Sequence, residues 1–319
     1  MKPHHTPHLE RRLILSLGFT GFIFLAELLG GFWTGSLALL SDAAHVFMDM
    51  FAIGLSYLAL RLSALPADDR HTYGWHRLEV LAALLNGITL LVISVGIWYE
   101  AYQRWLEPPQ VRSLEMFIIA VVGLVVNLIV ALVLSGRHEH LAPKYDSQHQ
   151  HIHNGTPHNH SRKDLNIHSA FLHVIGDAVS SMGVILAALI IWRTGWYWVD
   201  ALASALIGVI ILVSALRVTR AALHILVEGT PEGISPQALA KGMLSVDSVD
   251  DVHDLHVWSI CSGHVALSAH VVLDEEGYQQ QGEVMSQLKE HLRSGYGIEH
   301  TTIQFEEVPC EQGNGCGSS

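Results

Sequence analysis

The sequence predicts an α-helical polytopic membrane protein with six transmembrane helices, followed by a C-terminal cytoplasmic α+β domain. Three observations predict it. Half of the 319 residues are hydrophobic, only 15% are charged, and the mean hydropathy is +0.32. The charge is uneven: residues 230–319 hold 14 of the 30 acids and 3 of the 18 bases, a net −11 that leaves −1 for residues 1–229. The near-neutral part also divides into apolar runs of the length, about 20 residues, that crosses about 30 Å of hydrocarbon. This composition excludes a disordered chain and disfavours an ordinary soluble enzyme. No basic excess invites nucleic acid. Three cysteines, Cys261, Cys310 and Cys316, all in the acidic third, make an odd count that speaks for a reducing compartment rather than a disulfide framework.

The elements follow in order. A cytoplasmic tail, residues 1–12, carries His4, His5 and His8. The membrane domain, residues 13–228, holds spans at about Leu13 to Trp33, Ser36 to Leu62, Leu78 to Trp105, Leu114 to Ser135, Leu165 to Ile191 and Val199 to Leu226. The first run lacks a small-residue cleavage site and is expected to be retained. With the N-terminus inside, the cytoplasmic segments hold Lys2, Arg11, Arg12, Arg61, Arg70, Arg77, Arg137, Lys144, Arg162 and Lys163, against Arg104, Arg112 and Arg193 outside. This positive-inside bias places both termini in the cytoplasm. The domain at residues 229–309 has helical periodicity from Pro236 to Leu244 and from Tyr278 to Leu292. Its strand patterns run from Val252 to Ile260, Val265 to Leu273 and Thr301 to Glu307. That α-β-β-α-β order makes a two-layer unit. Residues 310–319 read as a flexible tail, with Cys310 and Cys316 as incidental thiols.

Ionisable residues at membrane depth are costly unless paired or ligating, so they mark function. His45 and Asp49 in the second span, and His173 and Asp177 in the fifth, both form His-x-x-x-Asp. At i and i+4 the imidazole and carboxylate share one helix face. Asp49 lies about 13 residues and Asp177 about 12 residues into its span, near the midplane at 1.5 Å per residue. Two neutral imidazoles and two carboxylates carry −2, which a divalent ion cancels. Nitrogen and oxygen donors suit a tetrahedral, borderline-soft ion such as zinc, whereas magnesium and calcium prefer oxygen. Glu27, Asp42, Asn86, Glu100, Asn127 and Asp200 lack such a motif and read as structural contacts or accessory gate residues.

The segment 137–163 is rich in Gly, Pro, Asn, Ser and Gln, and holds His138, His140, His149, His151, His153, His158 and His160. Tracts of this kind bind transition metals loosely, so the loop is expected to gather ions at the entrance. In the acidic domain, His253 and His270 on neighbouring strands, with Glu306 on the last, are candidates for a second metal. His256 is read as a further candidate on the same face as His253.

These residues carry a resemblance. The string Gly35-Ser36-Leu37-Ala38-Leu39-Leu40-Ser41-Asp42-Ala43-Ala44-His45, followed by Asp49, is similar to the second-helix signature of the cation diffusion facilitator family. The His173 and Asp177 motif, the histidine loop, His253-Asp254-Leu255-His256-Val257-Trp258 and Ser268-Ala269-His270-Val271 extend it over essentially the whole chain. The resemblance implies a homodimeric exporter in a bacterial inner membrane that exchanges cytoplasmic zinc for protons, with a ferredoxin-like cytoplasmic domain at the dimer interface. It implies transport through His45, Asp49, His173 and Asp177, with cadmium or other divalent transition metals as secondary cargo. It also implies regulatory zinc at His253, His270 and Glu306. Some relatives bind a further ion after the second helix, with His where this chain has Trp75; Asp68 and His71 remain there as candidates.

Two other classes fit less well. An intramembrane zinc hydrolase needs an open coordination position and a base, as in His-Glu-x-x-His, and no such motif occurs. A metal-sensing receptor would leave its output unexplained, because no kinase or DNA-binding element accompanies the acidic domain.

Overall fold

A computed structural model describes residues 7–135, 179–261 and 263–307. The chain forms two compact units, Met1–Gly54 with Asn86–Leu216, and Leu55–Leu85 with Arg217–Ser319. Six apolar helices come first: α1 (Pro7–Thr34), α2 (Leu37–Ser63), α3 (Arg77–Leu106), α4 (Ser113–Ser135), α5, described over Val179–Thr194, and α6 (Trp198–Leu226). Three of them, α2, α3 and α6, are each long and apolar enough to cross a membrane as described. The histidine loop 137–163, the start of the fifth span and the tail 310–319 lie outside the described residues.

The first unit is turned inside out relative to a water-soluble fold. Leu29, Phe32 and Val92 are more than 60% exposed, while Glu27, Ser36, Asp42, Ser180, Ser181 and Asp200 are buried. Hydrocarbon as solvent explains both halves of this pattern, since apolar side chains gain nothing by leaving lipid and polar ones must find each other. Small residues bring helices close. A Cβ on Gly30 would come within 2.6 Å of Ile119, and one on Gly123 within 2.6 Å of Glu27, so α1 and α4 meet through glycine.

Only two residues join α1 to α2. Gly35 takes φ +74°, a conformation that costs side-chain-bearing residues, and its N–H donates to Gly31 O at 2.9 Å to close α1. The first turn of α2 is then capped from a distance. The Asp200 carboxylate accepts from Ser36 Oγ (2.6 Å), Leu37 N (2.7 Å) and Ala38 N (3.2 Å), which satisfies amides with no partner inside the helix. Arg104 lies 3.8 Å from the same carboxylate and donates to Gly35 O. Arg112 N donates to Thr34 O at 3.0 Å.

The second unit ends in a small mixed sheet under helices. After α7 (Pro236–Leu244) come β1 (Val249–Cys261), β2 (His264–Leu273), α8 (Glu275–Gln279), α9 (Gln281–Tyr296) and β3 (His300–Glu306). The sheet order is β1-β2-β3, with β1 and β2 antiparallel and β2 and β3 parallel. Ser235 caps α7 by accepting from Ala238 N, with Pro236 in the first turn, where its missing N–H costs nothing. The helix expected from Tyr278 to Leu292 is instead two pieces. Asp274 caps α8, and Gln280, at φ −116° and ψ 31°, breaks the ladder before α9 begins. Leu239, Met243, Leu267, Val271, Leu288 and Leu292 fill the interior between helices and sheet.

Candidate metal sites

In the first unit, the capped start of α2 fixes the face that its next turns present. His45 and Asp49 stand one turn apart on α2, with Nε2 and Oδ2 separated by 3.8 Å. The imidazole is 13% exposed and the carboxylate 30%, so a shielded nitrogen and an oxygen share one face. The two residues expected to complete this site, His173 and Asp177, lie outside the described residues. One turn before His45, the buried Asp42 accepts hydrogen bonds from Ser180 and Ser181 of α5. Those serines follow Asp177 by three and four residues. The contact therefore docks α5 on the part of α2 that carries His45.

In the second unit, three strands assemble a tighter group. His253 and His270 face each other across β1 and β2, and Glu306 ends β3 beside Val272. His253 Nε2 lies 3.2 Å and His270 Nδ1 2.8 Å from the two Glu306 oxygens. Both nitrogens are buried, yet neither meets a hydrogen-bond partner in acceptable geometry. Three donor atoms within 4.8 Å of one another, two imidazole nitrogens and a carboxylate oxygen, fit a cation. The opposite ring nitrogens face carboxylates, with His253 Nδ1 3.2 Å from Asp251 and His270 Nε2 3.9 Å from Asp254. Carboxylates in that position orient imidazole ligands and raise their basicity. A β-bulge between His253 and His256, with Asp254 at φ +50°, supplies this arrangement. The bulge sets His256 opposite Ser268, where its ring meets Asp254 at 3.0 Å and stands outside the group of three.

The cation efflux transmembrane domain model matches residues 13–227, and the model of the cation efflux cytoplasmic domain matches residues 231–308. The chain belongs to the cation efflux family, the cation diffusion facilitators. Several cation efflux proteins resemble it over most of their length. The metal cation efflux system protein CzcD of Cupriavidus metallidurans is 38% identical, covering 95% of this chain and 88% of its own. The cadmium, cobalt and zinc/H(+)-K(+) antiporter of Bacillus subtilis is 39% identical over 92% and 88%. Zinc transporter ZitB of Escherichia coli is 36% identical over 96% and 92%. The solved metal-bound C-terminal domain of CzcD is 37% identical, covering 23% of this chain and 99% of that one, with a TM-score of 0.22.

In this cation efflux protein, the candidate loop pair after α2 is committed to the loop itself. Asp68 accepts from the backbone of Arg70 (2.8 Å) and of His71 (2.7 Å), and its carboxylate lies 3.0 Å from His71 Nδ1. The Arg70 N–H, first among these partners, holds the Asp68 carboxyl below its ordinary range. Trp75 packs on the His71 ring at 3.8 Å, and among the described residues no third ligand joins the two. The capture histidines His149, His151, His153, His158 and His160 lie outside the described residues, as do Cys310 and Cys316. Ser180 and Ser181 escaped the sequence reading. Their only local signal is a place one turn after Asp177, because the acceptor is 138 and 139 residues away.

Proposed function

We propose that this protein exports zinc from the cytoplasm of a bacterium across the inner membrane in exchange for protons, by alternating access. Residues 13–228 form the membrane domain and residues 229–309 the cytoplasmic domain of a homodimer. The observation that carries the reading is the α2 half-site, an imidazole and a carboxylate one turn apart, with α5 docked beside it through Asp42. Asp177 and His173, which precede the docking serines by three to four and by seven to eight residues in the sequence, supply the other half. The names of the relatives, a zinc transporter and a cadmium, cobalt and zinc antiporter, support zinc as cargo and cadmium or cobalt as secondary cargo.

Zinc needs deprotonated ligands, so loading from the cytoplasm displaces protons and reprotonation on the far side releases the ion. Imidazole titrates between about pH 5 and 8, which makes the two histidines the natural proton carriers. The four ligands close the coordination shell, which suits carriage rather than activation of water. His253, His270 and Glu306 hold a regulatory zinc ion, which would supply a cross-link between the three strands. The histidines of the 137–163 loop gather ions at the entrance.

Reconstituted vesicles carrying a zinc-sensitive and a pH-sensitive dye test the reading. Zinc entry with opposite proton movement, abolished in the Asp49→Ala, Asp177→Ala double variant, is the expected result. Zinc flux without proton movement would replace antiport with uniport. Flux that persists in the double variant would overturn the site.

A further inference from the structure

One buried acid of the first unit has no part in the exchange described above. Glu27 of α1 is 1% exposed, and neither of its carboxyl oxygens meets a hydrogen-bond partner. The bare backbone of Gly123 on α4 makes room for it, since a Cβ there would come within 2.6 Å of Oε1. On α1, Glu27 follows Phe24 by three residues and precedes Gly31 by four, which sets the three on one helix face.

That face meets α2, and its contacts fix the depth of Glu27. Gly21 lies against Met50, the Phe24 ring is 5.4 Å from that of Phe47, and Gly31 lies against Leu40. Each step forward along α1 is thus matched by a step back along α2, and Glu27 comes level with Ala44. Ala44 adjoins His45, the imidazole of the α2 half-site. The unpartnered carboxyl therefore sits at the depth where the cargo binds.

These helices bring no permanent cation to that depth. Within them, α1 has no Lys or Arg after Arg12, α2 none before Arg61, and α4 no titratable residue after Glu115. The titratable groups on the neighbouring turn of α2 are Asp42, which is bonded to Ser180 and Ser181 of α5, and His45. A carboxylate enclosed without partner or counter-charge is costly, and a protonated carboxyl far less so. The positive charge that does reach this level is the cargo itself.

On the zinc–proton exchange proposed above, we infer that Glu27 carries one of the exchanged protons, held while the half-site is empty and released when a divalent cation arrives level with it. The carboxyl O–H bond breaks, the proton passes to water on the loading side, and the carboxylate left behind balances part of the ion's charge, with no change of oxidation state. When the ion leaves, the carboxylate takes a proton from the far side. No ligand cluster among the described residues includes Glu27, so it acts on the ion through charge rather than by coordination.

The test records infrared difference spectra, zinc-loaded minus zinc-free, of the full-length protein in lipid vesicles. A protonated carboxyl has a C=O stretch resolved from those of carboxylates and amides. Zinc should remove intensity from this band in the parent protein, and the loss should disappear in Glu27→Gln, which keeps shape and neutrality but cannot ionise. Glu27→Asp, with the acid on a shorter arm, should keep the zinc-linked loss at a shifted position, which decides the matter if Glu27→Gln misfolds. In dye-loaded vesicles the proton-to-zinc flux ratio should fall by about one proton per ion in Glu27→Gln. A zinc-linked loss undiminished in Glu27→Gln, unshifted in Glu27→Asp, or missing from the parent protein would overturn the inference, and so would an unchanged flux ratio. Zinc flux without proton movement in the parent protein would instead bring down the antiport reading, and this inference with it.

Discussion

The two units bury opposite kinds of residue. Among the described residues, the polar or charged residues buried as a whole lie in the first unit, apart from Ser63, whereas the second packs an apolar cluster between α7, α9 and the sheet. The difference teaches what specifies packing in each solvent. In water, removal of apolar area drives assembly and polar groups stay outside. In hydrocarbon that drive is missing, so paired polar groups such as Asp42 with Ser180 and Ser181, and close glycines, decide which helices meet.

Three substitutions break or sharpen this contrast, all measured by denaturant unfolding of the full chain in detergent. Leu288→Ala, at a fully buried core position of α9, should cost about 4 kcal/mol and shift the unfolding transition of the second unit. A loss below about 1 kcal/mol would mean that this core is loosely packed. Asp200→Ala should cost about 3 kcal/mol through the first unit, because it strands three donors at the start of α2 and the nearby Arg104 charge. A neutral result would remove polar pairing as the organising force there. Leu29→Ala, the same chemical truncation as in α9 but at a 66% exposed position of α1, should change stability by no more than about 0.5 kcal/mol. A large loss would show that this face of α1 meets protein rather than lipid.

What the sequence made legible follows the same divide. The apolar runs announced α1 to α4 and α6 to within a residue or so at their ends, apart from the α1 start, and helical periodicity announced α7, because length and period are local signals. A helical membrane domain and a C-terminal α+β domain came out as expected, the parallel pairing of β2 with β3 being the structure's addition. The break at Gln280 did not, since glutamine is an ordinary helix residue and the cause is a cap at Asp274 six positions earlier. Neighbouring strand patterns, and then the family resemblance, brought His253, His270 and Glu306 under suspicion. The left-handed turn at Asp254 that arranges their neighbours is invisible in a pattern of hydrophobic and polar letters. Asp42 and Asp200 were legible as unusual but not as partners, because what satisfies them lies 138 to 164 residues away.

The corner at Gly35 has a mechanical consequence. Residues from the α1–α2 joint, from the end of α3, from the start of α4 and from the start of α6 are bonded into one knot there, through Gly35, Thr34, Arg104, Arg112 and Asp200. Helices riveted together at one end cannot splay apart at that end. Any motion that keeps these bonds must carry the corner as a single plate and find its bend further along the helices, so the knot acts as the fulcrum of the bundle.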